Sequence, residues 1–150
     1  MLPSDLLRLL AGDDVPALVQ AIRIDLGHTP ESAASILGWA PESEWGGVVR
    51  DVEDGRDPVE PFDQGYVVRG MVAAWLLQRG EWSPGAGTYT HSSGAKVSGN
   101  GTSSYASVPG QRSILTESTG ALGCSGPVIR HDIIRLMLRV YAALGHGKAP

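Results

Sequence analysis

The stretch Gly85-Ala86-Gly87-Thr88-Tyr89-Thr90-His91-Ser92-Ser93-Gly94-Ala95-Lys96-Val97-Ser98-Gly99-Asn100-Gly101-Thr102-Ser103-Ser104-Tyr105-Ala106-Ser107-Val108 decides how this chain is read. It lies in a zone from about Glu81 to Pro127 that is dominated by Gly, Ser and Thr, with Glu81, Lys96, Arg112 and Glu117 as its charges. Such composition suits a flexible linker. Within it, however, Thr88-Tyr89-Thr90 and Ser104 to Val108 read as strands. Ser98-Gly99-Asn100-Gly101 lies between them, and an Asn-Gly step flanked by β-formers signals a hairpin. The zone therefore reads as one β-hairpin or an extended arm. Its few apolar residues do not offset an ordering cost of about 1 kcal/mol per residue, so it is expected to order by packing on a neighbour. Tyr89, Val97, Tyr105 and Val108 are the expected anchors of this partner-binding arm, which would add edges to a neighbour's sheet.

Helical patterns flank the zone. On its N-terminal side, Pro61 to Arg79 carries Tyr66, Val67, Met71, Ala74 and Trp75 on a broad apolar face, stopped by Gly80. This helix is expected to centre the core, with Trp75 buried and Trp82, beyond the stop, mattering much less. Further back come shorter helices. Ser4 is read as a cap for a Leu-rich helix ended by Gly12, and Pro16 as the first turn of a helix running to Gly27. Thr29-Pro30 opens a helix that stops at Gly38, and a further helix covers Glu44 to Glu53. On the C-terminal side, Val128 to Leu144 places Ile129, Ile133, Leu136, Met137, Val140 and Leu144 along one side. The fold class predicted is mainly α, a bundle of four to six helices with one β-hairpin or extended Gly/Ser/Thr-rich arm. Its parts are a helical domain at 1–80, the arm at 81–127, and a C-terminal helix at 128–150 packing on the helical domain.

Composition excludes several functions. The 150 residues include 12 Lys and Arg against 16 Asp and Glu, a formal charge of -4, which disfavours a general polyanion binder. The one cysteine, Cys124, excludes an internal disulfide framework. No apolar run approaches the roughly 20 residues of a membrane span, and the start lacks a signal-peptide pattern. The chain reads as intracellular, or as part of a particle assembled inside a cell. No nucleophile elbow surrounds a serine, and Gly123-Cys124-Ser125-Gly126 reads as a turn despite His131-Asp132 nearby. His28, His91, His131 and His146 are scattered singly, the acidic run Asp51 to Asp57 lacks a calcium-loop pattern, and Gly85-Ala86-Gly87 opens a strand rather than a phosphate-binding helix. No catalytic, cofactor or metal residue is expected, and the protein is predicted not to be an enzyme.

Two resemblances add to this reading. Ala21-Ile22-Arg23, Gly27, Thr29, Ala34 and Leu37-Gly38, with Val49 to Val59 and its acid-x-Gly-Arg-x-Pro ending, resemble the lambda-repressor-like (Xre-type) helix-turn-helix over residues 18–60. That implies a DNA-binding transcriptional regulator in which Arg23, Thr29, Arg50 and Arg56 would meet DNA. The sequence departs from the family where DNA would be read. The turn after Gly38 is longer, Pro30 replaces a polar side chain, Gly46 and Gly47 occupy an exposed helix start, and Glu42 and Glu44 repel phosphates.

The order of short helices, the hydrophobic helix Gly65 to Arg79, a Gly-rich loop and a last helix is similar to tailed-phage head-to-tail connector (adaptor) proteins. This resemblance implies a ring of identical subunits in the virion, assembled in the host cytoplasm. Its partners would be portal and tail components, reached through an extended arm, with DNA met only non-specifically. Under the regulator alternative the protein is cytoplasmic. A mildly acidic subunit suits a channel through which DNA passes without adhering.

Overall fold

The computed structural model describes residues 1–40, 42–56, 61–99, 103–118 and 131–146. Two compact units divide the chain, one built on Met1–Trp75 and the other on the residues from Leu76 through the last helix.

The first unit is helical. Helix α1, Pro3–Ala11, begins two residues earlier than a Ser4 cap would place it. The Asp5 carboxylate instead accepts the Leu2 N–H at 2.7 Å, and Leu2 is the N-cap. Helix α2, Val15–Asp25, has Asp14 as its N-cap, accepting from Ala17 N–H at 3.1 Å, with Pro16 in its first turn. A short 3₁₀ helix, Ser32–Leu37, follows and ends on Gly38 in the left-handed conformation. Helix α3 is Trp45–Glu53, and helix α4, Pro61–Gln78, starts here and continues past Trp75. Leu18, Val19, Ile22, Leu37, Val49, Val52, Val67, Met71 and Trp75 form the buried core. Trp75 is fully buried as expected, and its indole N–H donates to Asp25 at 2.9 Å.

The second unit corrects the predicted fold class. The chain is α+β and not a mainly α bundle with one hairpin. Residues 82–118 supply a five-stranded antiparallel sheet in the order β1-β2-β3-β4-β5. The strands are β1 Trp82–Gly85, β2 Thr88–His91, β3 Lys96–Gly99, β4 Ser103–Ser107 and β5 Leu115–Ser118. Each pairs with its sequence neighbour, with Tyr89 opposite Val97, Val97 opposite Ala106 and Ala106 opposite Leu115. The Asn100-Gly101 step lies outside the described residues.

The physical reason for the correction is the helix α5, His131–Ala143, which packs on β3, β4 and β5. Val97 and Ala106 on the sheet, and Leu136, Met137 and Val140 on the helix, are all fully buried. The polar zone is thus covered by apolar surface from its own chain. The last helix, expected against the helical domain, lies on this sheet. Trp82, expected to matter little, is 3% exposed and belongs to the same core.

Candidate functional site

The helix-turn-helix-like segment keeps a close-packed arrangement. Helix α3 contacts both α2 and the 3₁₀ helix. Gly46, read from sequence as an exposed start of the reading helix, is instead buried. A Cβ there would stand 3.1 Å from the Glu31 Cα, so glycine lets α3 approach the Pro30–Glu31 backbone. Gly47 is exposed, as expected.

Each residue proposed to meet DNA is engaged within the protein. The Arg23 guanidinium makes a two-pronged pair with Glu53, Nε to Oε2 and Nη2 to Oε1 both at 2.7 Å, and its Nη1 donates to the His28 carbonyl at 2.8 Å. The two side chains are only 13% and 7% exposed. Thr29 Oγ1 accepts from the Ser32 N–H at 3.1 Å while Ser32 Oγ accepts from the Thr29 N–H at 2.9 Å, so the Thr29 hydroxyl is engaged in the turn that leads into the 3₁₀ helix. Arg50 pairs with Glu31, and Arg56 stands 3.7 Å from Asp51. Residues 1–75 hold five arginines and thirteen carboxylate residues, a formal charge of −8, whereas residues 76–150 hold seven Lys and Arg against three, +4. The structure therefore brings the four candidates onto one helical unit but gives them carboxylate or hydroxyl partners, and the surrounding field repels phosphate.

The residues inserted after Gly38 build something else. Trp39 and Trp45 stack with ring centroids 5.7 Å apart, and Trp45 packs on Tyr66 at 4.9 Å. The Trp39 indole N–H donates to Tyr66 Oη at 3.3 Å, and Tyr66 O–H donates to the Leu37 carbonyl at 3.1 Å. Trp39 nevertheless remains 47% exposed. Glu42 and Glu44, also exposed, lie between the two tryptophans in sequence. Sequence reading noted these acids as repellent to phosphate and missed the aromatic shelf. The signal was available, as two tryptophans bracketing the stretch after Gly38.

In the sheet unit, the four expected arm anchors separate. Val97 and Val108 are core residues at 0% and 4% exposure, unavailable to a partner because they face the chain's own packing. Tyr89 is half-buried, and burial raises its hydroxyl pKa. Tyr105 is the one that remains exposed, at 44%.

A polar network missed by the sequence reading joins the start of β1 to α5. Tyr141 O–H donates to Glu81 Oε2 at 2.6 Å, Trp82 Nε1–H donates to Tyr141 Oη at 3.0 Å, and Arg79 Nη2 donates to Glu81 Oε1 at 2.9 Å. Ser93 N–H donates to His91 Nδ1 at 3.1 Å, which makes that nitrogen the acceptor and leaves Nε2 to carry the proton toward Glu81 Oε2, 3.3 Å away. Burial pushes the Glu81 carboxyl up, but the hydrogen bonds from Tyr141, Arg79 and His91, with the Arg79 charge, outweigh it and hold the group below its ordinary value. Burial first, and then its bond to Glu81, push the Tyr141 hydroxyl well above its own. The network closes the sheet unit and fixes His91 in one tautomer.

Among the described residues, no cluster of three or more His, Cys, Asp or Glu is placed to hold a metal ion, and no helix is long and apolar enough to cross a membrane. Cys124 and Arg130 lie outside the described residues. No protein-family model, curated protein or solved structure matches the chain.

Proposed function

We propose that this protein is a non-enzymatic structural subunit that works through contact with other proteins, and that it serves the head-to-tail junction of a phage-like particle. The observation that carries this reading is the charge state of the helix-turn-helix-like unit. Arg23, Arg50 and Arg56 are each matched with a carboxylate, and the unit as a whole stands at −8. A surface of this kind repels DNA and leaves protein partners as its natural targets. Because the Gly/Ser/Thr zone is a folded sheet, neighbours are joined through faces of folded units and not through a free arm.

Native mass measurement and titration against a randomised duplex pool test the proposal together. The expected result is a closed oligomer of many copies whose DNA affinity is weak, similar for all sequences and lost with modest salt. A dimer that recovers one defined site at nanomolar strength overturns it. That second reading, a helix-turn-helix regulator, is favoured by one specific observation, the packing of α3 on α2 and the 3₁₀ helix, locked by the Arg23–Glu53 pair.

A further inference from the structure

We infer that the Trp39–Trp45 shelf of one copy docks on the open face of the sheet of a second copy, so that subunits join head to tail. This inference rests on the subunit reading above and names the two surfaces it requires.

The first surface is apolar and acidic together. An indole at 47% exposure, stacked on a second indole, is an unusual thing to leave in water. The stack is held rigid from below, because Tyr66 packs on Trp45 and anchors Trp39 by a hydrogen bond. The shelf is therefore preformed, and docking on it costs little side-chain ordering. Among the described residues Glu42 and Glu44, exposed between the two tryptophans in sequence, have no ion-pair partner and present uncompensated negative charge next to the shelf along the chain. An occupant of such a surface carries a cation for the indole faces and the carboxylates, together with flat apolar or aromatic area.

The same chain supplies a surface of that description. The alternation of β3 and β4 turns Val97 and Ala106 toward α5 and leaves Lys96, Tyr105 and Ser107 exposed on the other face. Ser83, Thr90, Lys96 and Ser107 form one register row there, and Gly85, Thr88, Ser98, Tyr105 and Thr116 the next. This face carries no carboxylate among the described residues. Lys96 and Tyr105 sit diagonally across the β3–β4 ladder, within reach of each other's contacts, roughly 7–8 Å apart at the backbone by the general geometry of such pairs. The exposed Arg112, in the connection between β4 and β5, is a second cation of the same unit, and neither it nor Lys96 is ion-paired among the described residues. The units stand at −8 and +4, so the long-range field brings unlike units together before the short-range contact forms. A contact between two different faces of one chain is heterologous, and such contacts close into rings when the rotation per subunit allows it.

Charge-swap variants test this on the full chain. Glu42→Arg with Glu44→Arg makes one variant, and Lys96→Glu with Arg112→Glu makes the other. All four positions are exposed, and circular dichroism is used to check that both variants fold. Each variant alone is expected to run as a monomer in native mass measurement, because one has two basic faces and the other two acidic ones. An equimolar mixture is expected to recover the parental oligomer, since each variant then offers the face the other needs. Independently, Trp39→Ala is expected to weaken parental association by about five- to thirtyfold. Swapped variants that keep the parental mass overturn the inference while leaving the subunit reading standing. So do swaps that dissociate the oligomer but do not recover it on mixing, since the two faces are then not each other's partners. A parent that is monomeric at every concentration and ionic strength refutes the subunit reading itself.

Discussion

Replacing Arg23 by leucine isolates the contact that ties the end of α3 to α2. The guanidinium makes two 2.7 Å bonds to Glu53 and one 2.8 Å bond to the His28 carbonyl, and the Glu53 side chain is only 7% exposed. In Arg23→Leu that carboxylate keeps its burial and loses its counter-charge, a change that costs about 3–5 kcal/mol in comparable buried pairs. The unbonded His28 carbonyl adds about 1 kcal/mol. The expected loss, about 4–6 kcal/mol, is a large part of a typical domain's total of about 5–15 kcal/mol. The double variant Arg23→Leu with Glu53→Leu removes both charges together and is expected within about 1 kcal/mol of the parent. Arg50→Ala, acting on an exposed pair with Glu31, provides the control at about 0–1 kcal/mol. Urea titration followed by tryptophan fluorescence suits the question, because Trp39, Trp45 and Trp75 all lie in the helical unit and only Trp82 does not. A loss below about 1 kcal/mol for Arg23→Leu, or a double variant as damaged as the single one, would falsify the account of this pair as the lock of the unit.

Hydrogen exchange on isolated subunits is expected to find the amides of β3 and β4 protected without any partner, because β2, β5 and α5 already satisfy and cover them. Exchange at the rate of an unstructured peptide across 96–107 would restore the arm in place of the sheet. Tyr141→Phe removes the bonds to Glu81 and Trp82 and is expected to destabilise the sheet unit by about 1–3 kcal/mol. The Glu81 carboxyl is held below its ordinary value of 4.5, so its contribution is present above that value and is lost as pH falls through the lower, folded-state one. Acid titration of stability is expected to steepen below about pH 4.5, with the slope reduced in Glu81→Gln; identical acid limbs in parent and variant count against the network.

The helices were legible because their signals are local. Pro16 and Gly27 bound α2 as read, Gly38 and Gly80 stop their segments, and the apolar spacing around Trp75 marks a buried face. Of the three inner strands, Ser98 and Gly99 of the central one read as part of a turn, whereas Thr88–His91 and Ser103–Ser107 also carried local signals in threonine and tyrosine. The outer strands did not. Pro84 and Gly85 lie within β1, where an edge position tolerates a residue that cannot donate, and Leu115–Ser118 carries a single threonine and no aromatic residue to mark it. What turned a polar zone into a sheet was the cover supplied by α5, whose contacts with β3 lie more than 30 residues away in sequence. The partner of Arg23 was illegible for the same reason. Arg23 and Glu53 are 30 residues apart, and nothing local marks them as each other's partners. Gly46 was legible as a glycine but not as a close approach, since the backbone it admits belongs to Pro30 and Glu31.

The strictly sequential strand order has a bearing on how the chain emerges during synthesis. Every ladder of the meander closes over a short loop, so the sheet can begin to pair as soon as its strands appear, with little entropy lost to loop closure. Its cover comes last. From Ser118, the end of β5, to Ala143, the end of α5, the ribosome adds a further 25 residues. At about 5–20 residues per second that leaves the Val97 and Ala106 face bare for roughly 1–5 s. Through that interval the nascent sheet exposes an apolar face flanked by two open edges, while the serine and threonine side chains that crowd the opposite face leave that side water-compatible.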